Sequence, residues 1–322
     1  MGRVPLLLSL RMKLRAFAIV AASAALALTA CSSGSDTSRS AGAADGGSVT
    51  IATTNFSETK LLANMYQQVL EKNGVKASIK ELTTREVIVP ALESGEVQAT
   101  PEYLGSFTEF INKQVNGASA PQIATGDAAA TYAAAKPLAA SKQISLLTPS
   151  PAQDQNAFAV TADFAKANNL KTLSDLAAWS QNNAVNLGGP PECPQRPFCQ
   201  PGLEQTYGMK IASFTPLDAG GPLTVQALTQ NKINLGLVFS SSGSIQSNNL
   251  VLLTDDKQLQ TAENITPAVY TPAATDTVTK ALDSVSAALT TDELQALNQQ
   301  VEVDRKNPKT VAAEFLKSKG LI

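Results

Sequence analysis

The sequence predicts an α/β protein of two lobes. Three observations carry this: a strand-helix-strand-helix-strand order between residues 49 and 100, a second α/β series from Ala157, and a stiff connection between them, Thr148-Pro149-Ser150-Pro151. Strands that alternate with helices imply parallel sheets with crossover helices. Two lobes of similar design joined by extended crossings make a hinged clamp.

Taken in order, Val49-Thr50-Ile51-Ala52 reads as the first strand, followed by a loop through Thr54, Asn55 and Ser57. A helix from Glu58 to Lys72 places Leu61, Leu62, Met65, Val69 and Leu70 on one face, and Asn73-Gly74 ends it. Val75 to Leu82 alternates as a strand, Arg85 to Ser94 is a second helix, and Val97 to Thr100 is a third short strand. Pro101-Glu102-Tyr103-Leu104-Gly105 is then a turn beyond that strand, where ligands of open α/β sheets gather. Ala128 to Ser141 is helical and Ile144 to Leu147 a strand.

The second series begins with Ala157-Phe158-Ala159-Val160. It continues through helical Leu173 to Trp179, the strand Val185 to Gly188, a Pro-rich loop from Cys193 to Cys199, a helix ending at Tyr207-Gly208, helical Thr224 to Asn231 and the strand Leu235 to Phe239. After Leu250 to Leu253 the chain is expected to return to the first lobe for Ile265 to Tyr270. Helices around 276–289, 291–299 and 308–320 close it. The expected organisation is 1–30 a signal, 31–47 a tether, 48–152 the first lobe, 153–250 the second, and 251–322 the return to the first.

The amino-terminal segment is a secretory signal in layout. Arg11, Lys13 and Arg15 precede an apolar run from Ala16 to Ala30, and Leu28-Thr29-Ala30 leads into Cys31. The alternative, an uncleaved anchor, needs roughly 20 apolar residues, which the run does not reach. Met12 also serves as a start, since the signal is complete from there. The Leu-x-Ala-Cys pattern resembles the lipobox of bacterial lipoproteins. That resemblance implies cleavage before Cys31 and a lipid on its thiol. The Ser-, Gly-, Ala- and Asp-rich residues that follow, with Arg39 their one basic residue, cannot bury a core and read as a flexible tether.

Composition narrows the function classes. Removing residues 1–30 takes four of the 25 basic residues and none of the 27 acidic ones, so the remainder carries a net charge of −6. That argues against nucleic acid or an anionic membrane surface as partner. The chain has no histidine, which excludes His-based triads and His-ligated zinc and moves the prior from enzyme to binder. An acidic pair such as Asp255-Asp256 is expected to be a solvated turn, since adjacent side chains point apart. No metal or cofactor is expected.

With Cys31 committed to lipid, Cys193 and Cys199 remain. In an exported chain they are expected to form a disulfide, with two free thiols as the alternative. So short a ring stabilises by only about 2 kcal/mol on the chain-entropy model, and its value lies in fixing a loop.

Asn55-Phe56-Ser57-Glu58 is similar to an "NFTE" turn, Pro101 to Ser106 to "PEYTGT", Pro201-Gly202-Leu203 with Tyr207-Gly208 to "GLPGLxxxYG", and Asn248 to Asp256 to "YNLVVLEDD". Together these segments resemble the substrate-binding proteins of ABC importers for glycine betaine, choline, carnitine and related compatible solutes. The matches run in order from about residue 48 to 322. The resemblance implies a type II periplasmic-binding-protein fold, a ligand cleft between the lobes, and closure that presents a surface to the membrane permease. It implies a monomer held outside the cytoplasmic membrane by its lipid, a small-molecule ligand, and no nucleic acid.

In that family a quaternary ammonium sits among aromatic side chains. By position, Tyr103 is the expected cage aromatic, and Asn55, Thr84 and Arg85 fall in the first two β-α loops. Gln153, Asp154 and Asn156 match the polar "NNTYA"-like segment, without its aromatic. Arg196, shortly before the "GLPGL" element, is the candidate carboxylate clamp. Phe239, Ser240 and Ser241 stand in the place of "YTTD", with Phe for Tyr and the acidic residue missing. No aromatic falls between Lys257 and Asn264. The alternatives are the same receptor fold with a neutral or polyhydroxylated ligand, or a surface lipoprotein outside transport.

Overall fold

The computed structural model describes residues 47–322 apart from Glu192 and Ala219. The signal, Cys31 and nearly all of the tether lie outside the described residues. Among those described, no helix is long and apolar enough to cross a membrane.

The first part of the chain forms β1 (Val49–Thr53), α1 (Ser57–Lys72), β2 (Ala77–Glu81), α2 (Arg85–Glu93), β3 (Ala99–Tyr103), α3 (Leu104–Asn116), α4 (Ala128–Ser141) and β4 (Ile144–Leu146). The middle forms β5 (Asn156–Thr161), α5 (Ala162–Asn168), α6 (Leu173–Trp179), β6 (Val185–Gly189), α7 (Gln200–Tyr207), β7 (Ile211–Pro216), α8 (Pro222–Thr229), β8 (Leu235–Phe239), α9 (Ser244–Ser247) and β9 (Leu250–Leu253). The last part forms β10 (Ile265–Tyr270), α10 (Asp276–Ala288), α11 (Thr291–Asn298) and α12 (Pro308–Ser318).

These make two five-stranded sheets of one design, β2-β1-β3-β10-β4 and β7-β6-β8-β5-β9. In each, the strand that arrives from the other lobe inserts antiparallel among its neighbours. β5 pairs antiparallel with β8 and β9, and β10 with β3 and β4. The remaining pairs are parallel, as the alternation of strands and helices requires. Apolar side chains fill both faces of each sheet. On the first, Leu61, Leu62, Met65 and Leu70 of α1 pack one face while Phe107, Ile111 and Leu92 pack the other.

Local chemistry sets the helix starts. Asp127 accepts from Ala129 N and Ala130 N ahead of the Ala-rich α4, and capping boxes open α6 (Thr172, Asp175) and α11 (Thr290, Glu293). Gly74 takes φ +80° past the end of α1.

The crossings run side by side. Gln153 bridges Asn264, Asp154 N donates to Glu263 O at 3.0 Å, and Ile265 N donates to Ala152 O at 3.0 Å. The connection between the lobes is thus a two-stranded ribbon, and Asp154 and Glu263 both sit on it.

Several elements differ from the sequence expectation. Pro101-Glu102-Tyr103 is the end of β3 rather than a turn after it. Pro101 lies opposite Pro267, and the Pro267 carbonyl accepts from Leu147 N at 2.9 Å. The polar edge of Pro267 therefore faces β4, and this cross-strand pair needs no N–H from either proline. Helices α3 and α5 and strand β7 were not foreseen, and β9 stays in the second sheet to Leu253, past the expected return at 251. Cys193 and Cys199 are joined in a disulfide with Cα atoms 5.2 Å apart.

Candidate functional site

The carboxyl ends of β1, β3 and β8 face one another across the ribbon, and the cleft between them contains two adjoining cavities that share Phe239. One, of about 530 Å³, is lined by Tyr103 from the first lobe, Phe198 and Phe239 from the second, and Asp154, Asn156 and Glu263 from the ribbon and its exit. The other, of about 890 Å³, is lined by Phe56, Val225 and Val303 among others, with Glu302 and Ser241.

Beneath the smaller cavity lies a carboxyl pair. Glu58, on the first turn of α1, is fully buried; Tyr103 Oη donates to its Oε1 at 2.7 Å and Asn298 Nδ2 to its Oε2 at 2.5 Å. Burial, then the nearby Asp154 charge, pushes Glu58 from its ordinary 4.5 up to about 8, against hydrogen bonds from Ser241, Tyr103 and Asn298. Asp154 is raised by burial and held back by bonds from Ser241. Its Oδ1 is buried with no hydrogen-bond partner among the described residues. Burial first, and then Glu58, likewise raise Tyr103 well above the ordinary phenol value. Two acids with no cation between them hold on to a proton at neutral pH.

Arg85 is the opposite case. Its Nε donates to both Glu102 oxygens at 3.0 and 3.2 Å and its Nη2 to Glu102 Oε2 at 2.7 Å and to Ser106 Oγ at 3.0 Å. The fork is filled by the protein itself. Nearby, Glu263 accepts from Ser106 N at 3.0 Å and from Thr261 Oγ1 at 3.1 Å, and burial raises it.

The lobes also touch behind the cleft. Asn298 Nδ2, besides its bond to Glu58, donates to Ser241 O at 2.9 Å, and Gln295 Nε2 donates to Ser240 O at 2.7 Å. Here α11 passes into a π-helical turn, Gln299–Val303. Gly243 approaches so closely that a Cβ there would run into the backbone of Gln299.

Of the expected site residues, Arg85, Tyr103, Asp154, Asn156 and Phe239 line the smaller cavity, and Ser241 lines the larger. Asn55 is exposed and accepts from Lys60 Nζ at 2.6 Å. Thr84 is the exposed N-cap of α2. Gln153 and Ser240 are spent on the lobe junction: Ser240 Oγ donates to Gln153 O at 3.0 Å and accepts from Gln155 N at 2.9 Å. Arg196 is exposed on the disulfide loop, and Phe198, two residues on, lines the cleft instead.

Glu58, Asn298, Phe56 and Phe198 were missed as site residues. Glu58 and Phe56 were visible within the "NFTE"-like turn, and Phe198 inside the cysteine ring; nothing in the sequence marks Asn298. Tyr132 and Tyr207 are engaged elsewhere, each ring under a lysine. Asp255 is half-buried and accepts from Tyr207 Oη, Leu259 N and Gln260 N, while the exposed Asp256 accepts from Ser174 N at the start of α6, so the two side chains point apart but only Asp256 is solvated.

Residues 47–318 match the family model described as the substrate binding domain of ABC-type glycine betaine transport system. The glycine betaine-binding protein YehZ of Escherichia coli K12 is 32% identical over 273 residues, 82% of this chain and 88% of that protein. The glycine-betaine-binding protein of Pseudomonas aeruginosa PAO1 is 26% identical over 88% of this chain and 91% of its own length. The solved structure of apo YehZ from Escherichia coli aligns with a TM-score of 0.75 at 28% identity, covering 85% of this chain and 99% of that one. The chain therefore belongs to the family of substrate-binding domains of ABC-type glycine betaine transport systems.

Proposed function

We propose that the protein is an extracytoplasmic solute receptor that captures a quaternary amine of the osmoprotectant kind between its lobes and delivers it to the permease of an ABC importer. The observation that carries this reading is the meeting of Tyr103, Phe198 and Phe239 with Asp154 and Glu263 around one cavity of about 530 Å³. A trimethylammonium group cannot donate hydrogen bonds. Aromatic faces attract it by about 0.5 to 2 kcal/mol each, more as water is excluded.

The relatives' names support the same ligand class, since both curated proteins above are glycine betaine-binding. Closure about the hinge ribbon brings Phe198 and Phe239 toward Tyr103, so that ligand and closed shape form together. The receptor works as a monomer, processed before Cys31, lipidated on its thiol and tethered by the residues up to 47.

Isothermal titration with glycine betaine, choline and carnitine at matched concentrations tests the ligand class. Saturable binding of at least one, weakened at least tenfold by Tyr103→Ala, is the expected result. A folded protein that binds none of them overturns the reading. Labelling of cells with an alkynyl fatty acid tests the anchor: the protein takes label and Cys31→Ser does not.

A further inference from the structure

The cleft is built unequally toward the two ends of a zwitterion. Each cation that a ligand carboxylate would meet is engaged by the protein or exposed to solvent. Arg85 is closed on Glu102 through three contacts of 2.7 to 3.2 Å, Arg196 is exposed on its loop, and Lys113, near the end of α3, lines the cavity with a side chain exposed to solvent, where its charge is screened. Opening the Arg85–Glu102 pair to admit a carboxylate would strand Glu102, which is only 4% exposed, as a buried unpaired charge.

The acidic side is the reverse. Asp154 lies on the ribbon against the cavity, beside Tyr103 and Phe239, with its Oδ1 buried and unpartnered among the described residues. Its other neighbours are the Ser241 hydroxyl and the Glu58 carboxyl, neither of which neutralises it. The second-lobe Phe239-Ser240-Ser241 segment carries no acid of its own, and Asp154 reaches the same place from the ribbon.

We propose that Asp154 is the counter-charge for the ligand's ammonium head, and that the cleft therefore selects by net charge, taking quaternary ammonium alcohols in preference to zwitterionic betaines. This rests on the quaternary-amine reading above and narrows it. A cation seated between the rings and Asp154 gains attraction from Asp154 and Glu263, against the Arg85 charge already answered by Glu102 and the solvent-screened Lys113. A betaine in the same seat places its carboxylate among Glu263, Glu109, the saturated Arg85 and the exposed Lys113. The Asn156 amide, at the same wall, suits the uncharged hydroxyl tail of an alcohol.

The test is titration of the purified full-length protein with choline, glycine betaine and carnitine, repeated on Asp154→Asn and Glu102→Gln, each shown by thermal melting to be folded. Wild type is expected to bind choline at least tenfold tighter than glycine betaine. Asp154→Asn should cost choline at least tenfold and betaine less than threefold. Glu102→Gln, which frees the Arg85 fork, should raise betaine affinity at least threefold, and it decides the matter if the first variant does not fold. Betaine binding as tightly as choline in wild type, or equal losses for both ligands in Asp154→Asn, would overturn the proposal while leaving the quaternary-amine reading intact. Binding of none of the three would sink both.

Discussion

Two acids border the same cleft with opposite consequences. Glu102 is closed by Arg85 in a fork with a further bond to Ser106, so its charge is answered by the protein. Asp154, half-buried, has Ser241, Tyr103 and the fully buried Glu58 for company, none of them a cation, and both acids of that pair are pushed upward in pKa. The first is a finished ion pair that shapes the first-lobe wall. The second is an unfinished one, completed by a cationic ligand. The lesson is that candidate site residues sort by whether their charge is already spent, not by residue type or by proximity to the cavity.

The sharpest way to break this comparison is to undo the finished pair. Arg85→Ala leaves Glu102 buried and alone, and should lower stability by about 3 kcal/mol in urea titration; a loss under about 1 kcal/mol would mean that the pair is solvated and that Arg85 remains free for ligand. Next in size is Gly243→Ala. The added Cβ meets the Gln299 backbone where the lobes touch, and a cost of about 2 kcal/mol with weaker ligand binding is expected. Unchanged stability and affinity would show that this junction yields without consequence.

The unfinished pair predicts a pH dependence. Glu58 holds its proton more tightly folded, at about 8, than at its ordinary 4.5. Its contribution is thus complete below about pH 4.5 and is lost as pH rises through 8. Asp154, Tyr103 and Glu302 are the titratable groups around it, and burial raises each of them. Wild type should lose on the order of 2 kcal/mol between pH 5 and 8.5 relative to Glu58→Gln, measured by denaturation at each pH. Parallel curves for the two proteins would place the proton elsewhere. The smallest effects separate neighbours on one loop. Phe198→Ala should weaken quaternary amine binding by about 1 kcal/mol, whereas Arg196→Ala should change it by less than about twofold, as an exposed charge screened by solvent does.

The two-lobed α/β design was legible because it rests on periodicity. The α1 face of Leu61, Leu62, Met65 and Val69 and the strands at Leu235 and Ile265 each carry their pattern locally. Helix α3 was hidden because it begins directly at Leu104, in the middle of a segment that reads as a turn motif. Strand β7, Ile211–Pro216, lies mostly on a half-exposed sheet edge and alternates weakly.

The site was legible only at the level of which loops reach the cleft. Tyr103, Asp154 and Phe239 emerged because they sit at strand ends or on the crossing. That Arg85 is closed on Glu102, and that Phe198 rather than Arg196 turns inward, depends on contacts between residues far apart in the chain or on the direction of a loop set by the Cys193–Cys199 ring. Asn298 bridges Glu58 and Ser241, which precede it in the chain by 240 and 57 residues. No local pattern encodes such a contact.

The most direct measurement of the central claim is the position of the trimethylammonium nitrogen in a crystal structure of the protein with choline. The nitrogen is expected among Tyr103, Phe198 and Phe239, within about 6 Å of their ring centres and in contact with the Asp154 carboxylate. A nitrogen seated in the larger cavity beside Phe56 and Glu302, or at the rim away from Asp154, would contradict it.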